Sequence, residues 1–86
     1  MSAADTLEHL VKMANQIGSF FESMQDHEKA LSDIATHLKR YWDPRMRRAL
    51  LEHVAKDGGT DLRPMVLEAV KKHEAMLTPA KAVSSQ

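Results

Sequence analysis

His37-Leu38-Lys39-Arg40-Tyr41-Trp42-Asp43-Pro44-Arg45-Met46-Arg47-Arg48 is the stretch that decides how this 86-residue chain folds. It holds the only Trp and the only Tyr, and it carries five Lys or Arg residues against one Asp. The whole chain is formally neutral, with 12 basic and 12 acidic residues, so everything outside this stretch is net acidic. Positive charge and aromatic bulk therefore share one place. Asp43 is suited to accept from the free N–H groups of a new helix, and Pro44 fits a first helical position because its missing N–H has no partner there. The Pro44 ring also pushes Asp43 out of the α region, so the helix before it ends near Tyr41 or Trp42. The stretch predicts a helix, a corner bearing an aromatic pair, and a second helix.

Upstream of the corner, Asp26 caps a helix that Glu28 favours at its positive end. Ala30, Leu31, Ile34, Ala35, Leu38, Tyr41 and Trp42 form its apolar stripe, with Lys29, Ser32, Asp33, Thr36 and Lys39 outside. Lys39 and Arg40 fall in its last turn, where the helix dipole favours cations. Downstream, Met46, Ala49, Leu50, His53 and Val54 face inward on a helix of about three turns, which Lys56-Asp57-Gly58-Gly59 stops.

The outer segments repeat this grammar. Asp5 and Glu8 make a capping-box-like start, after small residues Met1 to Ala4 that should fray. Leu7, Leu10, Val11, Ala14, Ile17, Phe20, Phe21 and Met24 then recur at helical spacing, with Glu8, Lys12, Asn15, Ser19, Glu22 and Ser23 on the other side. Gly18 lies in the apolar arc, where it lets another helix approach closely. Asp61-Leu62-Arg63-Pro64-Met65 echoes Asp43-Pro44-Arg45-Met46 as an acidic cap with proline in the first turn. The helix that follows carries Leu62, Met65, Val66, Ala69, Val70, His73, Met76 and Leu77 and runs to about Leu77, before Thr78-Pro79 ends it. Leu51 and Leu67 lie off the stripes, on either a wider core face or an apolar surface. The fold class is all-α: one small bundle of about four short helices over residues 1–78, with residues 79–86 a disordered tail.

Composition narrows the chemistry. There is no Cys, which removes disulfides and thiolate metal sites. No apolar run approaches the roughly 20 residues of a membrane span, and no signal pattern opens the chain, so it reads as soluble and unprocessed. His9, His27 and His37 sit at polar or terminal positions, and no His-Glu-x-x-His pattern is present. His53 and His73 lie within apolar stripes, where two helices can bring them together, and the first reading is a structural role. No nucleophile is framed by a base and an orienting group, and no Gly-rich loop follows a strand. These features point away from an enzyme acting alone, and from any catalytic, cofactor-binding or metal residue in this chain.

Arg45, Arg47 and Arg48 are unusual because cations in the first turn of a helix oppose its dipole. Two readings stand: a solvated face with internal pairs to Glu52 or Asp43, or a surface for an acidic protein or phosphate-bearing ligand. On the second reading the partner-binding residues are Arg40, Tyr41, Trp42, Asp43, Arg45, Arg47 and Arg48.

Two blocks give this chain a family resemblance. Met13-Ala14-Asn15-Gln16-Ile17-Gly18 with Phe20-Phe21, and Ile34-Ala35-Thr36 running through the corner to Arg47, resemble the delta subunit of cytoplasmic, NAD-dependent, molybdenum- or tungsten-containing formate dehydrogenases. The resemblance spans about Val11 to Val70 and is looser from Pro64 onward. It implies a non-catalytic accessory subunit acting in assembly, stability or cofactor maturation. The large subunits of such a complex would be its partners and would carry molybdopterin, iron–sulfur clusters, FMN and the NAD site. The resemblance supplies that function; periodicity alone stops at a small helical adaptor. The alternative is a small helical nucleic-acid-binding domain using the Arg-rich start of helix three, against which neutral net charge argues.

Overall fold

The computed structural model describes the backbone of residues 3–79 and the side chains of residues 7–79. Five helices follow in order: α1 (Ala3–Phe21), α2 (His27–Tyr41), α3 (Pro44–Asp57), α4 (Pro64–Lys72) and the single-turn α5 (Glu74–Leu77). No strand occurs among the described residues. Helix α1 begins before Asp5; the capping side chain proposed there, and the tail beyond Pro79, lie outside the described residues.

Helix α2 is the centre of the fold. It packs most extensively on α4, and next on α1. Its Ala30, Leu31, Ile34, Ala35 and Leu38 are fully buried, as the apolar spacing requires. Around them lie Leu10 and Ala14 of α1, Leu50 of α3, Val66, Ala69 and Val70 of α4, and Leu77 of α5. Leu51 and Leu67 are partly buried against this core, so they belong to a wider core face. Gly18 faces α4, where an added Cβ would overlap the Val66 side chain. Close packing is thus the reason for glycine at that position.

Each helix end has a local cause. Asp26 caps α2 by accepting from Lys29 N at 3.0 Å, and Asp43 caps α3 by accepting from Met46 N at 3.0 Å. Gly58 ends α3 in the left-handed conformation with φ 83°, its N–H donating to Val54 O. Gly59 follows at φ 65°, and a Cβ there would meet Leu67 Cδ1 at 2.9 Å.

Four expectations from the spacing need correction. The fourth helix does not run unbroken to Leu77: His73, at φ −109° and ψ 29°, separates α4 from α5. The turn lets Leu77 enter the core, and the Lys39 ammonium donates to Met76 O at 3.2 Å. Asp61 does not cap α4, whose N-cap is Arg63 with no side-chain bond; the Asp61 carboxylate pairs instead with His53 at 2.8 Å. Asn15 is not simply an outward residue, because its amide donates to Asp61 O at 3.0 Å while its oxygen accepts from Arg63 N at 2.8 Å. Phe20 and Tyr41 lie on the apolar arcs of their helices yet are exposed, at 76% and 68%. Helical spacing puts both on the right side, but no further element among the described residues covers them.

Candidate functional site

The α2–α3 corner sends its two aromatic residues in opposite directions. Tyr41 is the last residue of α2, and Trp42 follows in an extended conformation, φ −95° and ψ 135°, that takes the chain off the helix axis. Trp42 turns into the core at 4% exposure, while Tyr41 stays outside against His37, with ring centroids 4.7 Å apart. The indole therefore helps bury the corner, and the phenol marks its surface.

The basic residues divide in the same way. Arg47 is only 9% exposed, which removes it from the exposed basic face expected of the first turn of α3. Its Nε donates to Trp42 O at 3.3 Å and its Nη1 to Leu77 O at 3.2 Å. One guanidinium thus satisfies a carbonyl at the corner and another at the end of α5. Such a bridge answers the dipole objection, because the buried cation donates to two backbone carbonyls. Arg40, Arg45 and Arg48 are exposed. Among the described residues these three make no side-chain hydrogen bond or ion pair, so internal pairs with Glu52 or Asp43 are not formed.

Beside the corner runs an apolar trough of about 400 Å³. Met13, Gln16, Ile17, Phe20 and Phe21 of α1 form one wall. His37 and Tyr41 of α2, the corner residue Trp42, and Met46 of α3 form the other. Phe20 is held against Phe21 in an edge-to-face contact, with centroids 5.1 Å apart and planes at 89°. Reasoning from the sequence counted Phe20 as core and His37 as solvated, and so missed this trough. Helical spacing carries no signal for it: adjacent residues point about 100° apart, yet Ala30-Leu31 and Ile34-Ala35 of α2 are pairs in which both residues are buried.

The remaining polar groups hold the fold together. Arg63 makes a bidentate pair with Glu22, at 2.5 and 2.7 Å, which holds the Glu22 carboxyl below its ordinary value of 4.5. Lys72 pairs with Glu28, and this bond likewise lowers the Glu28 carboxyl. The His53 ring, with its side chain 10% exposed, meets Asp61 at Nε2 and Asp57 at Nδ1. The Asp61 bond, then the Asp57 bond, raise the imidazole above its ordinary value of 6.5 against the opposing effect of burial. Neither nitrogen is turned to His73, whose buried Nε2 has no hydrogen-bond partner among the described residues. No His, Asp and Glu grouping suited to a metal ion occurs among the described residues. With no Cys in the sequence, this chain offers no thiolate to an iron–sulfur cluster.

Fold and surface define a class: a small all-α chain whose distinctive exterior is an apolar trough beside a basic corner. The model of the NADH-dependent formate dehydrogenase delta subunit family, FdsD, matches residues 9–70. The chain belongs to that family. The match includes α2, α3 and the wall residues of the trough. No curated protein and no solved structure matches the chain.

Proposed function

We propose that this chain is a non-catalytic accessory subunit of an NAD-dependent formate dehydrogenase, acting in assembly, stability or cofactor maturation of the holoenzyme. Its partners are the large subunits, which hold the molybdopterin, iron–sulfur clusters, FMN and NAD, and the complex works in the cytoplasm. No helix among the described residues is long and apolar enough to cross a membrane, which accords with that setting.

The observation that carries this reading is the exposure of Phe20 and Tyr41 beside Arg40, Arg45 and Arg48, in a chain whose family is the delta subunit. Exposed aromatic and Arg side chains are the residue types that dominate binding energy at protein interfaces. Arg40, Tyr41, Arg45 and Arg48 touch the partner on this reading. Trp42, Asp43 and Arg47 hold the corner in the shape that presents them. The burial of Arg47 also leaves a recognition helix for nucleic acid with one cation fewer than the sequence offers.

The test is to remove this chain from its host and isolate the large subunits. Expected is a fall in assembled, cofactor-loaded complex, with the KM for formate of the residual enzyme unchanged. Full assembly and full cofactor content without the chain would overturn the proposal.

A further inference from the structure

We infer that the trough between α1 and the α2–α3 corner is the seat of an amphipathic helix from a large subunit, one with Asp or Glu flanking its apolar face. The inference rests on the accessory-subunit reading and adds the chemistry of the partner segment.

Shape comes first. The wall residues on α1 recur from Met13 to Phe21 at alternating three- and one-residue steps, so the trough follows that helix for two turns, roughly 12 Å. An open channel of that length between two helical walls matches a helix laid along it, read out at i, i+3 or i+4, and i+7. Its volume of about 400 Å³ is that of roughly two or three leucine-sized anchors, taking the roughly 150 Å³ left when one such side chain is removed.

Rigidity comes next. Phe20 is braced by Phe21 and Tyr41 by His37, so the exposed rims are held in place before anything binds. Less ordering is then needed on association. Charge completes the case. Among the described residues no carboxylate lines the trough. Arg40 and Arg45 are the chain neighbours of the lining residues Tyr41 and Met46, and both are exposed. Asp43, the acidic residue between them, has its carboxylate engaged by the α3 cap, and Glu22, the acidic chain neighbour of the lining residue Phe21, has its carboxylate paired with Arg63. A helix with acidic flanks complements that surface, whereas one with basic flanks meets like charge.

The test uses the intact complex with Phe20 replaced by the photo-crosslinker p-benzoylphenylalanine. The expected product joins this chain to one helical segment of a large subunit, with apolar residues three and four apart and carboxylates beside them. In the same complex, the Phe20→Ser, Tyr41→Ser double variant should dissociate about thirty-fold faster. Its melting should be nearly unchanged, because both side chains are exposed. Cross-linking to a basic or irregular segment, to a second copy of this chain, or to no protein while the chain still co-purifies would overturn the inference and leave the accessory role standing. Failure to co-purify with the native, unsubstituted chain would overturn both.

Discussion

Asp43-Pro44 and Asp61-Leu62-Arg63-Pro64 look alike in sequence, yet they start their helices by different means. At the first, the acid directly precedes the proline and caps α3 within its own segment, through Met46 N. At the second, the acid stands three residues before the proline, too early to cap α4. The start of α4 is held instead by α1, through the Asn15 amide on Asp61 O and Arg63 N, and by Glu22, just past the end of α1, on the Arg63 guanidinium. One start is local in sequence and the other depends on partners more than forty residues away. Two residues of offset therefore change which part of the chain enforces the turn.

The largest test of this contrast is Trp42→Ala, since the indole fills the core directly behind the locally capped corner. Loss of a buried Trp should cost about 3–5 kcal/mol, so chemical denaturation should find the variant largely unfolded under mild conditions. A small effect would mean that the corner does not depend on its core anchor. Next is Arg47→Met, which removes the two donors to Trp42 O and Leu77 O. Leaving those carbonyls unpaired should cost about 1–3 kcal/mol, while Arg45→Met, at an exposed position, should leave melting nearly unchanged. Equal effects would erase the division between the inward and outward arginines.

The two helix starts can then be compared directly. Asp43→Ala should lose about 1 kcal/mol of capping energy, or roughly 4–8 °C of melting temperature for a domain of this size. Asn15→Ala should match it, although Asn15 lies on another helix, because it ends two hydrogen bonds to the α3–α4 loop. Hydrogen exchange would tell the two apart: the first variant should open the start of α3, the second the start of α4. Opening of both starts in either variant would defeat the comparison.

The smallest effect concerns His53, the group that Asp61 contacts in place of a cap. Its imidazole is raised in the folded state by its bonds to Asp61 and Asp57, so protonation and folding favour each other. The resulting stability is fully present below the ordinary value of 6.5 and is lost as pH rises through the raised folded value. Wild type should therefore exceed His53→Gln in stability by more at about pH 6 than at about pH 9. Thermal melting of both proteins across that range checks it, and a gap that widens with pH would contradict the assigned protonation.

How much of this was legible depended on whether a residue answers to its neighbours in sequence or in space. The Asp43 cap and the Gly58 stop follow from local chemistry, and the spacing of Leu31, Ile34 and Leu38 leads straight to the core. Helical periodicity also placed Phe20 and Tyr41 on apolar arcs. It carried no information about whether a further element covers them, which is why the trough was not foreseen. Arg47 shows the same boundary: its charge suggested a surface, but the carbonyl it serves at Leu77 is thirty residues on. His53 and His73 read as structural from their stripes; Asp57, four residues on in the same helix, is a local partner for the first, whereas Asp61 lies in the loop beyond α3 and only the fold brings it to Nε2.

The Arg47 bridge also fixes where Thr78 and Pro79, the last described residues, are placed. By gripping Leu77 O it sets Thr78 and Pro79 off from the basic corner, close to the wall that Trp42 and Met46 give the trough. Ala3, at the opposite end of α1 from Phe20, is roughly 26 Å away along the helix axis. A bulky affinity tag or fluorescent protein fused directly behind Pro79 would thus begin beside the proposed docking face, whereas the same cargo ahead of Ala3 would begin well clear of it. Purification of the complex should be planned from the amino-terminal side.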